Sequence, residues 1–380
     1  MKVTIAIDSF KGSITTYEAG EAAALGIKRV FPDAVTEICP LADGGEGTSE
    51  AIISATHGKF VNMTVTGPLG EPVEAKYGIT PDGYAVIEMA LAAGLTLVPE
   101  GKRDPLFTTT FGVGELIRHA IKVSGCRKFI VGIGGSSTND GGAGMLSALG
   151  FKFLDKSGEP VQNGAIGLSA LERIDASESL PELAECEFSI ACDVKNPLCG
   201  PLGCSAVYGP QKGASPKTVR DMDSWLSHYA SLTRETLCRG DADYPGAGAA
   251  GGLGFAFLAY LDAKLLPGID LVIERTRLEE KIEDADLVVT GEGRLDGQSC
   301  MGKAPVGVAM LSKKYGKPVI AFSGCVTDDA KEINSHGIDA FFPILKAPCA
   351  LETAMDPENA KRNLSDTAEQ AFRLIKATKK

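Results

Sequence analysis

The segment from residue 129 to residue 150 places a dense group of glycine and polar side chains directly after a short apolar run. Phe129 to Ile133 is apolar and rich in β-branched residues, a pattern that predicts a buried strand. The turn that follows reads GGSSTNDGG, and the residues from Ala143 onward favour a helix. Glycines let backbone N–H groups approach an oxyanion, and the start of a helix adds partial positive charge. The segment therefore predicts a phosphate site, against the alternative that the turn only lets the helix pack on the sheet.

Two similar turns lie near the start of the chain. The first apolar run ends in DSFK, which supplies Asp8, Ser9 and Lys11. A second run ends in DGGEG, which supplies Asp43 and Glu46. Because ligands of open α/β sheets bind at the carboxyl ends of the strands, these acid, hydroxyl and amine groups are candidates for chemistry.

A fourth turn follows the apolar run at 286–290 and carries two acids. Glu292 and Asp296 are four residues apart in a glycine-rich loop, so both carboxylates can face one cation, and their hard oxygens suit magnesium. A solvated acidic surface is the alternative. Gly297 to Lys303 matches part of a P-loop, but Ala304 occupies the position where magnesium needs a hydroxyl group. The P-loop match is therefore incomplete.

A fifth polar group, containing Asp193, Lys195 and Asn196, follows the predicted strand at 187–191. Together the five turns supply carboxylates, backbone donors and single cations, which are the groups that phosphoryl transfer from a nucleotide requires. The sequence contains no recognisable Ser/His/Asp set or nucleophile elbow, so acyl transfer is disfavoured.

The composition limits the class of protein. A chain of 380 residues suits two domains, and a formal charge of -11 disfavours nucleic acid as a partner. The first residues read as a strand rather than a signal peptide, and no apolar run is long enough to cross a membrane. Ten cysteines without a secretory signal predict reduced thiols and a cytoplasmic location.

The elements that position these turns predict an α/β fold. Strands alternate with helices near both ends of the chain, and the last helix is predicted to begin at about Asp366. Between 60 and 90, three strands joined by GPLGEP and TPDG predict antiparallel hairpins. We therefore predict a discontinuous outer domain of residues 1–65 and 285–380, interrupted by an inserted domain of residues 66–284. The GAGAAGGLG segment at 246–254 is interpreted as a closely packed helix start, with a phosphate loop as the alternative.

Seven motifs, taken together and in order, resemble the bacterial glycerate kinase family, type I. They are DSFKGS at 8–13, ADGGEGT at 42–48, GIGGSSTNDGGAGM at 132–145, CDVKNPL at 192–198, YGPQKGA at 208–214, GAGAAGGLG at 246–254 and TGEGRLDGQS..GKAP at 290–305. The resemblance covers essentially the whole chain. It implies ATP-dependent phosphorylation of D-glycerate, usually at the 2-hydroxyl, with Mg²⁺. It also implies two α/β domains, one of them flavodoxin-like and built from both termini, with the active site in the cleft between them.

The resemblance suggests roles for individual residues. Ser9 and Lys11 are expected to hold the acid, and Asp193 is the first choice for the carboxylate that orients or deprotonates the hydroxyl, with Asp8 and Asp43 as rivals. Further substrate contacts are expected from Asp43, Glu46, Lys195 and Asn196. Nucleotide contacts are expected from Gly134, Gly135, Ser136, Ser137, Thr138, Asn139, Gly291 and Lys303. Glu292 and Asp296 are the expected magnesium ligands, directly or through water.

Two other functions remain open at this stage. A nicotinamide-dependent oxidoreductase also places glycine-rich turns after strands, although the first unit lacks the G-x-G-x-x-G fingerprint. A nucleotide- or solute-sensing protein is the second alternative. Glu88 lies in an apolar run and is interpreted either as a buried partner of a cation or as a substrate contact. A monomer or a homodimer is expected.

Overall fold

The computed structural model describes residues 1–42, 44–297 and 304–378. The chain divides into two compact units. The first comprises Met1–Asp43, Glu50–Thr56 and Ile269–Lys380, and the second comprises Gly44–Ser49 and His57–Gly268. The domain boundaries expected after residues 65 and 284 stay a prediction. Residues 57–65 group with the second unit, where they pair in its sheet, and residues 269–284 group with the first.

The strands of the described residues are numbered in chain order. They are β1 Lys2–Ile7, β2 Val35–Ile38, β3 Lys59–Thr66, β4 Pro72–Ile79, β5 Tyr84–Glu88, β6 Lys128–Gly132, β7 Lys152–Leu154, β8 Arg173–Asp175, β9 Glu187–Ala191, β10 Lys264–Leu266, β11 Leu287–Leu295, β12 Val319–Val326 and β13 Ala340–Pro343.

The α-helices are numbered in the same way. They are α1 Thr16–Val30, α2 Thr48–Thr56, α3 Ala90–Ala93, α4 Phe111–Lys122, α5 Ala143–Ala148, α6 Cys204–Tyr208, α7 Pro216–Leu237, α8 Ala249–Leu261, α9 Gly268–Thr276, α10 Leu278–Glu283, α11 Ala304–Lys314, α12 Leu351–Met355 and α13 Pro357–Thr378. No helix within the described ranges combines the length and the apolar character needed to cross a bilayer.

The first unit is built around a parallel sheet made from both ends of the chain. Its strand order is β13-β12-β11-β1-β2, and every neighbouring pair is parallel. The core contains Val3, Ile5 and Ile7 of β1 together with Leu364 and Phe372 of α13. An apolar β-branched run suits a central strand that is covered on both faces. The predicted parallel sheet from both termini is confirmed.

The second unit contains a mixed sheet in the order β10-β9-β6-β5-β4-β3. The pairs β5–β6, β6–β9 and β9–β10 are parallel, whereas the pairs β3–β4 and β4–β5 are antiparallel. The hairpins predicted from the two short turns are therefore confirmed. The stacked rings of Phe129 and Phe188, 4.7 Å between centroids, lie in the core of this unit.

The glycine-rich start of α8 packs against the turn that follows β6. Gly251 has φ +68°, and its N-terminal neighbour Ala250 also lies in the left-handed region. A Cβ atom on Gly251 would lie 2.1 Å from the carbonyl oxygen of Thr138, so no side chain fits there. The Gly251 carbonyl also accepts a hydrogen bond of 3.0 Å from the N–H of Gly141. The structure supports the packing interpretation of this segment.

The last helix begins earlier than the sequence pattern predicts. Helix α13 starts at Pro357, whereas the predicted start was about Asp366. Proline suits the first turn of a helix, and the carboxylate of Asp356 accepts a hydrogen bond of 2.8 Å from the N–H of Asn359. Asp356 followed by Pro357 was not recognised in the sequence as the start of a helix.

Candidate active site

The carboxyl edge of the parallel sheet in the first unit opens into a cavity of about 640 Å³. Residues at the carboxyl ends of β1, β11 and β12 line it, because parallel strands end at the same edge. Its polar lining residues are Asp8, Ser9, Lys11, Ser13, Glu292, Arg294 and Asp296. Two of the predicted turns, DSFK and GEGRLD, are thus brought together in one cavity.

Asp8 is held rigidly at the end of β1. Its side chain is 4 % exposed, and its Oδ1 accepts a hydrogen bond of 2.7 Å from the N–H of Ser9. Its own N–H donates to the carbonyl of Gly291 in β11 at 2.9 Å. Gly291 is buried and accepts this hydrogen bond between β1 and β11. Lys11, in the loop that follows β1, is exposed.

Glu292 and Asp296 line the same cavity. Glu292 lies in β11, and Asp296 follows that strand with an oxygen 3.4 Å from Nε of Arg294. Carboxylate donors fit a hard cation such as Mg²⁺. In the ranges described, however, no three His, Cys, Asp or Glu side chains are grouped so that they could hold a metal ion by themselves. The residues fit an ion that keeps several water ligands.

The glycine-rich turn of the second unit is mostly buried. Six residues of this turn, 134–139, were predicted to contact the nucleotide, and among them only Gly134 and Gly135 are exposed. Oγ of Ser137 donates to the carbonyl of Ala93 at 2.9 Å, and Nδ2 of Asn139 donates to Oγ of Ser205 at 2.8 Å. These two side chains hold the turn in place, so a ligand would meet the backbone of the two glycines.

Sequence reasoning did not single out Lys212, which anchors this turn from a distant segment. Its side chain is 2 % exposed, and Nζ donates to Oγ of Ser136 at 2.8 Å and to the carbonyl of Thr138 at 2.6 Å. Burial lowers the pKa of Lys212 to about 8. The signal in the sequence was the run YGPQKGA, in which Lys212 follows a turn and precedes Gly213 at φ +100°.

Asp140 is the second buried charged group under the turn. Its carboxylate accepts hydrogen bonds from the N–H and Oγ1 of Thr110, both at 2.8 Å, and from the N–H groups of Gly142 and Gly144 at 3.1 and 3.3 Å. Burial raises the pKa of Asp140, against the opposing effect of these hydrogen bonds. The network fixes the end of the turn to the start of α4.

Comparison with known proteins identifies the family of this chain. The model of the glycerate kinase family matches residues 3–376. The chain belongs to the glycerate kinase family.

Relatives of the glycerate kinase family match over nearly their full length. The chain is 49% identical over 379 residues to glycerate 2-kinase of Escherichia coli strain K12, covering 100% of this chain and 98% of the relative. It is 48% identical over 380 residues to glycerate kinase of Bacillus subtilis strain 168, covering 100% and 99%. A crystal structure of a glycerate kinase 2 from Salmonella typhimurium LT2 superposes with a TM-score of 0.90 at 46% identity, covering 100% of this chain and 99% of that chain. The chain is a kinase, and the predicted resemblance is confirmed, which removes the oxidoreductase and sensor alternatives.

Several polar side-chain atoms of the turn after β9 already form hydrogen bonds within the protein. Oδ1 of Asp193 accepts a hydrogen bond of 3.0 Å from the N–H of Gly268, and Lys195 is exposed. Asn196 uses both ends of its amide, because Nδ2 donates to the carbonyl of Leu202 at 2.8 Å and Oδ1 accepts from the Tyr208 hydroxyl at 2.7 Å. A substrate contact by Asn196 stays a prediction, but this geometry gives its side chain a structural role.

Four other residues were singled out in the sequence as candidate site residues. Among them, Glu46 is exposed. Glu88 is buried, and its Oε1 accepts from the N–H and Oγ of Ser49 at 2.7 and 2.8 Å, so it caps the first turn of α2. The two interpretations made from the sequence, a buried partner of a cation or a substrate contact, stay predictions. Asp43 and Lys303 lie outside the described residues.

The lowered pKa of Lys212 predicts a change of stability with pH. An exposed lysine titrates near 10.5, so between about pH 8 and 10.5 the unfolded chain binds more protons at this position than the folded chain. This group therefore makes the free energy of unfolding rise as the pH increases through that range. Denaturant unfolding at about pH 7.5 and pH 10 should show this contribution in the wild type and not in Lys212→Met. The exposed Lys217→Met serves as the control, and an unchanged pH response in Lys212→Met would contradict the assignment.

Proposed function

We propose that this kinase phosphorylates D-glycerate with ATP, by direct in-line transfer of the γ-phosphoryl group, to give 2-phospho-D-glycerate. The observation that carries the proposal is that Asp8, Lys11, Glu292 and Asp296 line one cavity in the first unit. Family membership and the names of the relatives, glycerate kinase and glycerate 2-kinase, support the substrate and the position phosphorylated.

Lys11 and Ser9 are proposed to bind the carboxylate of the acid. An ammonium group supplies a charge-assisted hydrogen bond to a carboxylate, and the neighbouring hydroxyl supplies a second donor. Asp8 lies in the same cavity, is nearly buried and is fixed by the N–H of Ser9. We assign Asp8 the task of orienting the attacking hydroxyl and accepting its proton. In Asp193, the first choice from the sequence, Oδ1 accepts a hydrogen bond from the N–H of Gly268 within the second unit. Asp43, which lies outside the described residues, stays a rival.

Glu292 and Asp296 would hold Mg²⁺ with the help of water. When bound, the ion neutralises negative charge on the phosphate oxygens during transfer. Backbone N–H groups at Gly134 and Gly135 are proposed to bind phosphate, because these residues form the exposed part of the turn. Lys195 and Lys303 stay proposed sources of positive charge. The cytoplasmic location expected from the sequence also stays a prediction.

The function is tested by measuring ADP release with Mg-ATP and D-glycerate in a coupled assay. We expect turnover with D-glycerate and no turnover with L-glycerate or without an acceptor. Phosphorus NMR of the product should then show 2-phosphoglycerate. Absence of ADP release would overturn the proposed reaction, and formation of 3-phosphoglycerate would overturn the assignment of the reacting hydroxyl.

Replacement of Lys11 by alanine is expected to weaken binding of the acid. A hydrogen bond to a charged group contributes roughly 1.5–3 kcal/mol, so the KM for D-glycerate should rise by about 10- to 100-fold in Lys11→Ala. The exposed Lys28→Ala, in the last turn of α1, is the control and should behave as the wild type. An unchanged KM for D-glycerate in Lys11→Ala would remove Lys11 from the substrate site.

A further inference from the structure

We propose that the cavity in the first unit binds the nucleoside, that is the base and ribose, of the phosphate donor against its apolar lining residues. The inference builds on the proposed function and assigns a place to one half of its nucleotide. It depends on the size of the cavity, its apolar walls and the position of its charges.

The cavity is larger than the acid requires. Pockets of about 300–1,000 Å³ typically enclose ligands of drug size, and the volume of about 640 Å³ lies within that range. Glycerate is a three-carbon acid and fills only part of this volume. Besides the charged residues, the lining includes the apolar residues Phe10, Ile344, Leu345, Leu351 and Met355. Apolar walls of this kind favour a flat heteroaromatic ring over a second small acid.

Two glycines of the cavity lining, Gly293 and Gly324, lie beside Phe10. A Cβ atom on Gly324 would lie 2.7 Å from the carbonyl oxygen of Gly293 and 3.8 Å from Cδ2 of Phe10. Any side chain at position 324 would therefore displace its neighbours. The two glycines thus let β11 and β12 approach closely at this part of the cavity wall.

Helix α12 supplies part of the apolar wall of the cavity. Leu351 is 76% exposed although it lines the cavity. The Cε atom of Met355 lies 3.1 Å from the position that a Cβ atom on Gly12 would take, so the helix reaches the loop that carries Lys11. A base seated in the cavity would cover Leu351 and remove its apolar surface from water.

The cavity also carries charged residues that match the phosphates of a nucleotide. Lys11 and Arg294 supply positive charge, and Glu292 and Asp296 can supply oxygen ligands for a divalent cation. Phosphates with Mg²⁺ match these charged residues, and the base matches the apolar ones. A nucleoside triphosphate is the chemical class that carries both parts in one molecule.

Two cysteines on the cavity wall make the inference testable by chemical labelling. Cys325 and Cys349 are exposed and line the cavity, whereas the exposed Cys238 lies in the second unit and is not part of the lining. Alkylation by iodoacetamide is followed at each site by mass spectrometry. Mg²⁺ with the non-hydrolysable analogue AMP-PNP, at a concentration that saturates binding in calorimetry, should slow alkylation of Cys325 and Cys349 by about fivefold or more. Cys238 should react at an unchanged rate.

The labelling results separate this inference from the proposed function. Unchanged reactivity of Cys325 and Cys349 with AMP-PNP, or equal protection by D-glycerate alone, would overturn the nucleoside assignment. Protection by AMP-PNP without ADP release from D-glycerate would overturn the proposed substrate and support the nucleoside site. ADP release from D-glycerate without protection of the cysteines would support the proposed substrate and overturn the nucleoside site.

A matched pair of leucine variants gives an independent measurement. Leu351→Ser should raise the dissociation constant for AMP-PNP roughly three- to tenfold, because part of a leucine side chain is buried on binding. The KM for D-glycerate should change by less than about twofold. Leu374→Ser replaces an exposed leucine of α13 that does not line the cavity, and it should bind the nucleotide as the wild type does. Equal nucleotide affinity in both variants would overturn the contact with Leu351.

Discussion

The variant Asp8→Asn is expected to lower kcat by about 10²- to 10⁴-fold, the range that one positioned acid or base contributes. Asparagine keeps an oxygen that can accept the hydrogen bond from Ser9 N–H, so the loop should keep its shape. It cannot accept a proton from the attacking hydroxyl or carry negative charge toward it. KM values for ATP and D-glycerate should therefore change little, since the lost interaction belongs to the transition state.

The measurement is steady-state ADP release with both substrates varied, with circular dichroism as a check of folding. Asp33→Asn is the control, because Asp33 is an exposed aspartate of the same unit outside the cavity. A kcat for Asp8→Asn within about threefold of the wild type would exclude Asp8 as the base. Asp193→Asn, tested in parallel, would then be the next candidate.

The sheets could be predicted from the sequence because their signals are local. The apolar run that ends at Asp8 and the run that precedes Glu292 suit buried strands, and both lie in the centre of the parallel sheet as β1 and β11. The short turns GPLGEP and TPDG predicted the hairpins β3–β4 and β4–β5. Helix α13 was predicted to start too late, because its first residues, 357 and 358, are exposed and the turns before Asp366 contain few apolar residues.

The candidate site was only partly predictable, because burial of a polar side chain depends on distant residues. Nothing in the sequence around Ser136 indicates that Lys212, 76 residues away, donates to its hydroxyl. Asn196 likewise finds Tyr208 and Leu202 through the folding of its own loop. Polar residues in a glycine-rich turn therefore have two uses, ligand binding and support of the turn, and the sequence does not separate them.

The support of the turn by buried charges has a consequence for stability. The carboxylate of Asp140 receives four hydrogen bonds and is 0% exposed, and Lys212 holds the preceding residues of the same turn. The turn is thus fixed before any ligand arrives. Preorganised backbone donors bind an anion without the further cost of ordering a loop.

The variant Asp140→Ala is expected to lower the free energy of unfolding by about 3–5 kcal/mol. Alanine removes the carboxylate, so the buried N–H groups of Thr110, Gly142 and Gly144 lose their acceptor. Each buried N–H group without an acceptor lowers the free energy of unfolding by roughly 1–3 kcal/mol. Asp140→Asn keeps one acceptor oxygen and should lose less. Denaturant unfolding, read by tryptophan fluorescence and by circular dichroism, measures the difference.

Asp155→Ala tests whether burial, rather than the number of hydrogen bonds, sets the size of this effect. Oδ1 of Asp155 accepts from the N–H groups of Ser157 and Glu159 at 2.8 and 3.0 Å in an exposed turn. Water can replace that acceptor, so Asp155→Ala should cost less than about 1 kcal/mol. Equal losses in Asp140→Ala and Asp155→Ala would show that the buried network does not fix the glycine-rich turn. We expect a large loss in the free energy of unfolding only in Asp140→Ala. If kcat is also reduced under conditions where this variant is folded, the rigidity of the glycine-rich turn contributes to phosphate binding.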